Sequence, residues 1–254
     1  MIRRWRHLPS TLIIAGYAGT GKTTLIKVIA ETFGNPLVLT PTGKAAVRVR
    51  EATGQLASTI HRWLYKVDTS SGSVHFIRRQ VEDIAVPASG IVLIDEASML
   101  NETVWCDVFN VCQYFNLCII LVGDPFQLPP VKDTFSVFSS TFPHDEKVTL
   151  TEILRQAAES NIIRASMKIR GGDVGGGLSE LQLIQHQNLI KSSIMALENS
   201  GVVICHTNAL RFRMNKDIRA SMGRDPNEIE ELEPILVLKN SYDVGLMNGE
   251  TFSF

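Results

Sequence analysis

TLIIAGYAGTGKTTLIKVIAETFG, residues 11–34, decides the fold. TLIIA is an apolar run short enough for a buried strand, and it leads directly into GYAGTGKT, Gly16 to Thr23, which fits G-x-x-x-x-G-K-S/T without a mismatch. The segment that follows carries apolar residues at helical spacing and closes on Gly34, a residue suited to the turn that stops a helix. Strand, glycine loop and helix, in that order, form the context in which such a loop binds phosphate. Glycine lets successive backbone N–H groups wrap a polyphosphate, and the helix N-terminus adds partial positive charge. Lys22 is placed to reach the β- and γ-phosphates, and the Thr23 hydroxyl to hold Mg²⁺. Gly16, Gly19, Thr20, Gly21 and Thr24 complete the candidate nucleotide loop.

PLVLT (36–40), GIVLI (90–94), CIILV (118–122) and KVTL (147–150) read as further strands, several apolar on both faces. Such strands belong in a parallel sheet covered by helices. TGKAAVRVREATG is a second helix stopped by a glycine, Gly54, and STIHRWL a short third one. An α/β doubly wound domain over residues 1–155 is expected. YKVDTSSGSVHFIRR interrupts it with two alternating runs about a Ser/Gly turn, which predicts a β-hairpin across residues 65–79. Beyond Arg155 the pattern restarts: SNIIRASMKIRGG as helix, GGDVGGG as a flexible loop, VVICHTN as strand, ALRFRMNKDIRASMG as helix and EPILVLKN as strand. This is the beginning of a second α/β domain over 156–254.

Bulk composition narrows the class. A formal net charge of −1 gives no global basic field, so a nucleic-acid partner requires a local basic track. The four cysteines form no CxxC pair and read as buried thiols of a reducing compartment. No apolar run nears the roughly 20 residues of a membrane span. The basic-then-apolar start runs into the phosphate loop instead of forming a signal peptide. A cytoplasmic protein without membrane partners is expected.

Three further segments carry chemistry. IVLIDEASM, residues 91–99, ends an apolar strand in two carboxylates: Asp95 as oxygen ligand for Mg²⁺ and Glu96 to polarise an attacking water. GDPFQLPPV, residues 123–131, holds Gln127 among Pro125, Pro129 and Pro130 just past another buried strand. A neutral amide both donates and accepts, so it can sense a γ-phosphate and report its loss. Arg155, in LTEILRQ (150–156), is either an ordinary surface arginine or an arginine finger, a role worth about 10³–10⁵ in rate. The candidate catalytic set is Lys22, Glu96, Gln127 and Arg155, with ATP and Mg²⁺ as ligands.

The ordered series GYAGTGKTT, LTPTGKAA, STIHRWL, LIDEASM, LVGDPFQLPPV and LTEILRQ resembles the helicase motifs of the RecD/Dda group of superfamily 1. VVICHTNALRFRMN is similar to the start of that group's second-domain motif, and VGLMNGE to its later turn. The resemblance implies a P-loop NTPase with a RecA-like first domain, a partial second RecA-like domain, and an ATP-driven motor moving 5′ to 3′ on single-stranded DNA and separating duplexes at junctions. The alternative is a nucleotide-dependent DNA-binding module, or a helicase fragment, that does not unwind.

Pro41, Thr42 and His61 match DNA-contact positions of the family, although Thr42 also suits a helix N-cap and His61 a half-buried histidine. Thr207, Asn208 and Arg211 match its second-domain phosphate contacts, with a solvated helix start as the alternative. The hairpin occupies the place of the family's strand-splitting pin. Trp63, Tyr65, His75 and Phe76 are candidate stacking groups there, Trp63 equally a core residue. Two departures stand out: the residues before the first strand contain no glutamine for the family's adenine-reading motif, leaving Arg3, Arg4 or Trp5 to support the base, and the chain stops after NGE, so it reads as incomplete at its C-terminus.

Overall fold

A computed structural model describes residues 10–68, 75–130, 133–153, 160–179, 181, 189–198, 203–225, 227–238 and 251–253. It contains two compact units, Met1–Ile163 and Arg164–Phe254. The first is built on β1 (Thr11–Gly16), α1 (Lys22–Thr32), β2 (Leu37–Thr40), α2 (Gly43–Thr53), β3 (Ala57–Thr59), α3 (Ile60–Leu64), the hairpin strands β4 (Tyr65–Asp68) and β5 (His75–Arg78), β6 (Ile91–Ile94), α4 (Glu102–Tyr114), β7 (Cys118–Gly123) and β8 (Glu146–Leu150). Six strands form one sheet in the order β3-β2-β6-β7-β1-β8, with every pairing parallel.

Strand alternation sorts the core into two layers. Ile13, Leu39, Val92, Ile94, Ile119 and Leu121 face one layer, packed with Trp63, Leu64, Val104, Trp105 and Val108 of α3 and α4. Their neighbours Ile14, Val38, Leu93, Ile120 and Val122 face the other, against Ile26 and Ile29 of α1 and Val49 of α2. A sheet covered on both faces explains why its strands read as continuous apolar runs. The consequence for function is directional. All six strands run the same way, so the residues after β1, β2, β6 and β7 emerge at a single sheet edge, where ligands bind in such folds.

Local chemistry sets the element ends as the sequence implies. Thr42 caps α2, its hydroxyl accepting from Ala45 N–H at 3.3 Å, and Gly54 ends it at φ 72°. Gly123 closes β7 in a tight place: an added Cβ would lie 2.9 Å from Phe138 Cζ and 3.1 Å from the Ala97 nitrogen. Gly123→Ala is therefore expected to cost about 1–3 kcal/mol by overpacking, read as a lowered urea midpoint at unchanged slope.

The α/β parallel-sheet domain and the antiparallel hairpin are present as expected, the latter paired from Tyr65↔Arg78 to Asp68↔His75. Several local expectations change. STIHRWL is not all helix, because Ser58 and Thr59 belong to β3, which extends the sheet beside β2. In the second unit, GGDVGGG is loop only over residues 171–173, and Val174–Ser179 is helical. Asp173 nucleates it, its carboxylate accepting from Gly176 N–H at 2.8 Å, and a Cβ on Gly177 would meet Ile169 Cγ1 at 2.4 Å, so glycine here permits close helix packing. Residues 203–205 of VVICHTN carry no strand. Helices Asn161–Arg170 and Asn208–Ser221 match their expected segments, and among the described residues of EPILVLKN only Pro234–Leu236 is strand, antiparallel to Thr251–Ser253. Arg155, the hairpin tip, Arg3, Arg4, Trp5 and the VGLMNGE turn lie outside the described residues. Among the described residues no helix is long and apolar enough to cross a membrane.

Candidate nucleotide site and hairpin surface

The glycine loop joins β1 to α1 through Gly19 at φ 80° and Gly21 at φ 81°, left-handed conformations that favour glycine. Gly16 is required for space, since an added Cβ would sit 2.7 Å from Thr20 Oγ1. Thr20 donates to the Tyr17 carbonyl at 2.8 Å and so closes the loop on itself. Lys22 Nζ donates to the Gly16 and Tyr17 carbonyls, each at 2.9 Å. Burial lowers its pKa, against the opposing charges of Asp124, Glu96 and Asp95, while Arg48 adds to the lowering. Thr23 is half-buried on the first turn of α1; Thr24, its neighbour, is exposed.

Asp95 and Glu96 follow β6. Asp95 N–H donates to the Leu39 carbonyl at 2.9 Å, tying this turn to β2. Asp95 is only 8% exposed, and burial first, then the charge of Glu96, pushes its pKa above the usual carboxylate range. Glu96 sits at φ 54°, a left-handed backbone that costs a non-glycine residue on the order of 1–3 kcal/mol and clusters at functional sites. Its Oε2 is buried without a hydrogen-bond partner among the described residues, and Oε1 lies 3.8 Å from Arg48 Nη1 of α2. Two crowded carboxylates, one raised in pKa and one with an unsatisfied buried oxygen, fit a site made for a cation.

Gln127 is exposed in the proline loop, but it is not loose. Ser98, in the DEAS segment after Glu96, donates from Oγ to Gln127 Oε1 at 3.1 Å, and Gln127 N–H donates to the Asp124 carbonyl at 3.1 Å. Phe126 beside it meets Tyr17 of the glycine loop edge-on at 5.7 Å between ring centroids. The loop with Gln127 thus touches both other nucleotide segments.

Sequence reading missed Asp124, Ser98 and Arg48. Asp124 is 1% exposed and is the largest opposing charge on Lys22. Its signal was available: like Asp95, it is a carboxylate directly after a buried strand. Ser98 and Arg48 had none, because their roles depend on tertiary proximity.

The second candidate surface lies at α3 and the hairpin. His61 is exposed, its ring 5.3 Å from that of Tyr65 and 6.0 Å from that of Phe76. Partial burial lowers its pKa, so at neutral pH the ring is uncharged and suited to stacking more than to ion pairing. Trp63 does not join this surface: it is buried, and its Nε1 donates to the Ala85 carbonyl at 2.8 Å, which makes it a core residue. Pro41 and Thr42 are half-buried at the nucleotide edge, Thr42 serving as the N-cap. In the second unit Thr207 and Asn208 are exposed, and Thr207 caps its helix, accepting from Leu210 N–H at 3.2 Å. Arg211 lies over the Phe212 ring at 5.0 Å.

Glycine loop, half-buried lysine and paired carboxylates at the end of a parallel sheet define a P-loop nucleotide-binding domain. Residues 6–193 match the AAA domain family, and the chain belongs to it. It is 34% identical over 167 residues to the ATP-dependent RecD2 DNA helicase of Deinococcus radiodurans, covering 64% of this chain and 22% of the relative. It is 33% identical over 170 residues to the ATP-dependent DNA helicase dda of phage T4, covering 63% of this chain and 37% of the relative. These matches bear out the resemblance read from the motif series, and the chain spans well under half the length of either relative. Among solved structures, Bacteroides Pif1 helicase in complex with ADP-AlF3 and ssDNA aligns at a TM-score of 0.57 and 19% identity, over 96% of this chain and 65% of that one. That likeness is one of fold.

Proposed function

We propose that the chain is the motor portion of an ATP-dependent DNA helicase, acting in the cytoplasm and coupling ATP hydrolysis to 5′-to-3′ movement on single-stranded DNA and to duplex separation. The observation that carries the proposal is the meeting of Lys22, Asp95, Glu96 and the Ser98–Gln127 hydrogen bond at one sheet edge. The names of the relatives RecD2 and dda, both ATP-dependent DNA helicases, support it, as do Pif1 structures with single-stranded and forked DNA.

In this reading the loop N–H groups and Lys22 bind the β- and γ-phosphates, with Gly16, Gly19, Thr20, Gly21 and Thr24 shaping the loop. Thr23 and Asp95 would hold Mg²⁺, which when bound neutralises charge on the β- and γ-oxygens. Glu96 orients a water and takes its proton as the water oxygen bonds to the γ-phosphorus; the bond to the bridging oxygen breaks, and ADP leaves with the electron pair. Gln127 senses the γ-phosphate, and through Ser98 its position follows the carboxylate segment. Arg155 is proposed as the finger on the transferring group. Pro41, Thr42 and His61 are proposed to meet DNA from the first domain. Thr207, Asn208 and Arg211 would do so from a partial second RecA-like domain over 156–254.

The test is steady-state ATP hydrolysis with and without single-stranded DNA, using Lys22→Ala as the blank. DNA stimulation is expected. Nucleotide binding without any stimulation would instead favour a nucleotide-dependent DNA-binding module or an inactive helicase portion. Gln127→Ala is expected to keep nucleotide affinity while lowering DNA-stimulated turnover about fivefold, the worth of one hydrogen bond of ~1 kcal/mol. An unaltered response to DNA would return Gln127 to a turn residue.

A further inference from the structure

Tyr65 and Arg78 face each other across the hairpin strands, and both end on one carboxylate of the sheet domain. The Tyr65 hydroxyl donates to Asp107 Oδ2 at 2.6 Å, and Arg78 Nη1 lies 2.8 Å from Asp107 Oδ1. The Asp107 side chain is 15% exposed and that of Arg78 38%, so this contact is shielded more than a surface ion pair. Burial and the bond to Asp107 drive the Tyr65 pKa upward, which keeps the phenol protonated and donating at all ordinary pH. A two-stranded hairpin is marginal by itself. Val67, Phe76 and Ile77 are exposed, which leaves Tyr65 as the apolar contact of these strands with the core. At the hairpin base Arg79 N–H donates to the Leu64 carbonyl at 2.8 Å, which fixes where the hairpin starts but not its tilt.

Asp107 restrains that tilt, because one carboxylate grips both strands and resists bending either way. It also fixes the ring of Tyr65, against which His61 rests at 5.3 Å, with Phe76 6.0 Å from His61. The three rings form a single surface with one anchored member. Asp107 belongs to α4, whose N-cap, Asn101, closely follows the carboxylate segment of the nucleotide site.

We infer that Asp107 is a positioning residue that locks the hairpin to α4 and presents the His61–Tyr65–Phe76 ring surface to the bases of single-stranded DNA beside a duplex junction. The inference rests on the motor reading above. It assigns to α4 a role in DNA handling that its sequence does not reveal.

The experiment compares the wild-type chain with Asp107→Asn and, as a milder cut, Tyr65→Phe. Hydrogen exchange of residues 65–68 and 75–78, affinity for a forked duplex with a thymidine tail, and ATP hydrolysis without DNA are read in parallel. For Asp107→Asn, exchange in both hairpin strands should quicken by about tenfold, the scale of one charge-assisted contact. Exchange in β1, β6 and β7 should not move. Fork affinity should fall at least about fivefold, the lower end for one lost stacking contact. Hydrolysis without DNA should be unchanged. Tyr65→Phe, which keeps the ring and removes only the bond to Asp107, should quicken exchange in the hairpin strands by a smaller factor. Unchanged hairpin exchange overturns the brace, and quickened exchange with unchanged fork affinity overturns its role in DNA presentation. A wild-type chain that binds no DNA overturns the motor reading itself, a result distinct from either because it precedes any substitution.

Discussion

Replacing Lys22 by alanine is expected to lower ATP hydrolysis by about 10²–10³-fold, the effect of removing one positioned donor to developing negative charge. The lysine is committed to this edge twice. Its ammonium bonds the Gly16 and Tyr17 carbonyls at 2.9 Å each, which holds it at the mouth of the loop. It also offsets Asp124, Glu96 and Asp95, so alanine removes the attraction for a polyphosphate and leaves three carboxylates to repel it. Both the affinity for triphosphate and the maximal rate should therefore fall, with titration calorimetry reading the first and phosphate release the second. Burial lowers the ammonium's pKa, so in the wild-type chain nucleotide affinity should decline on the alkaline side before an unperturbed lysine would titrate. Hydrolysis by Lys22→Ala within tenfold of wild type would mean that the glycine loop is not where the phosphates sit.

How much of this was legible depends on how local each feature's cause is. The glycine loop was fully so: its spacing encodes the left-handed turns at Gly19 and Gly21, and its neighbours supply the strand and helix. Thr42 was legible as a cap because capping needs only the next few residues. Trp63 stayed open until the structure placed it, since an indole packs a core or stacks a base with the same composition; the bond to Ala85, far along the chain, decides it. β3 is three residues long, too short to show a period. In GGDVGGG the glycine content argues for a loop throughout, whereas from Val174 onward the cap from Asp173 and the close approach to Ile169 outweigh it. Ser98, Arg48 and Asp107 gain their roles from partners far along the chain, and no spacing rule reaches them.

Glu96→Gln should lower the maximal rate by about 10²–10³-fold, within the range of a positioned general base, while leaving nucleotide affinity intact. The substitution keeps the size and shape of the side chain and leaves the φ 54° backbone as it is, so the site should remain built. What it removes is the ability to take a proton. A rate loss without a rise in KM is the signature of an interaction made only in the transition state. Electrostatics sharpen the expectation. The charge of Glu96 helps push up the Asp95 pKa, so the neutral amide should let Asp95 ionise more readily and hold Mg²⁺ with nucleotide at least as well as before. The variant should accordingly accumulate with ATP bound, and quench-flow should show the loss in the chemical step, not in product release. Hydrolysis at the wild-type rate would exclude Glu96 as the base. It would turn attention to Asp124, a second buried carboxylate that acts on Lys22 at this edge and that follows its strand as Asp95 follows β6.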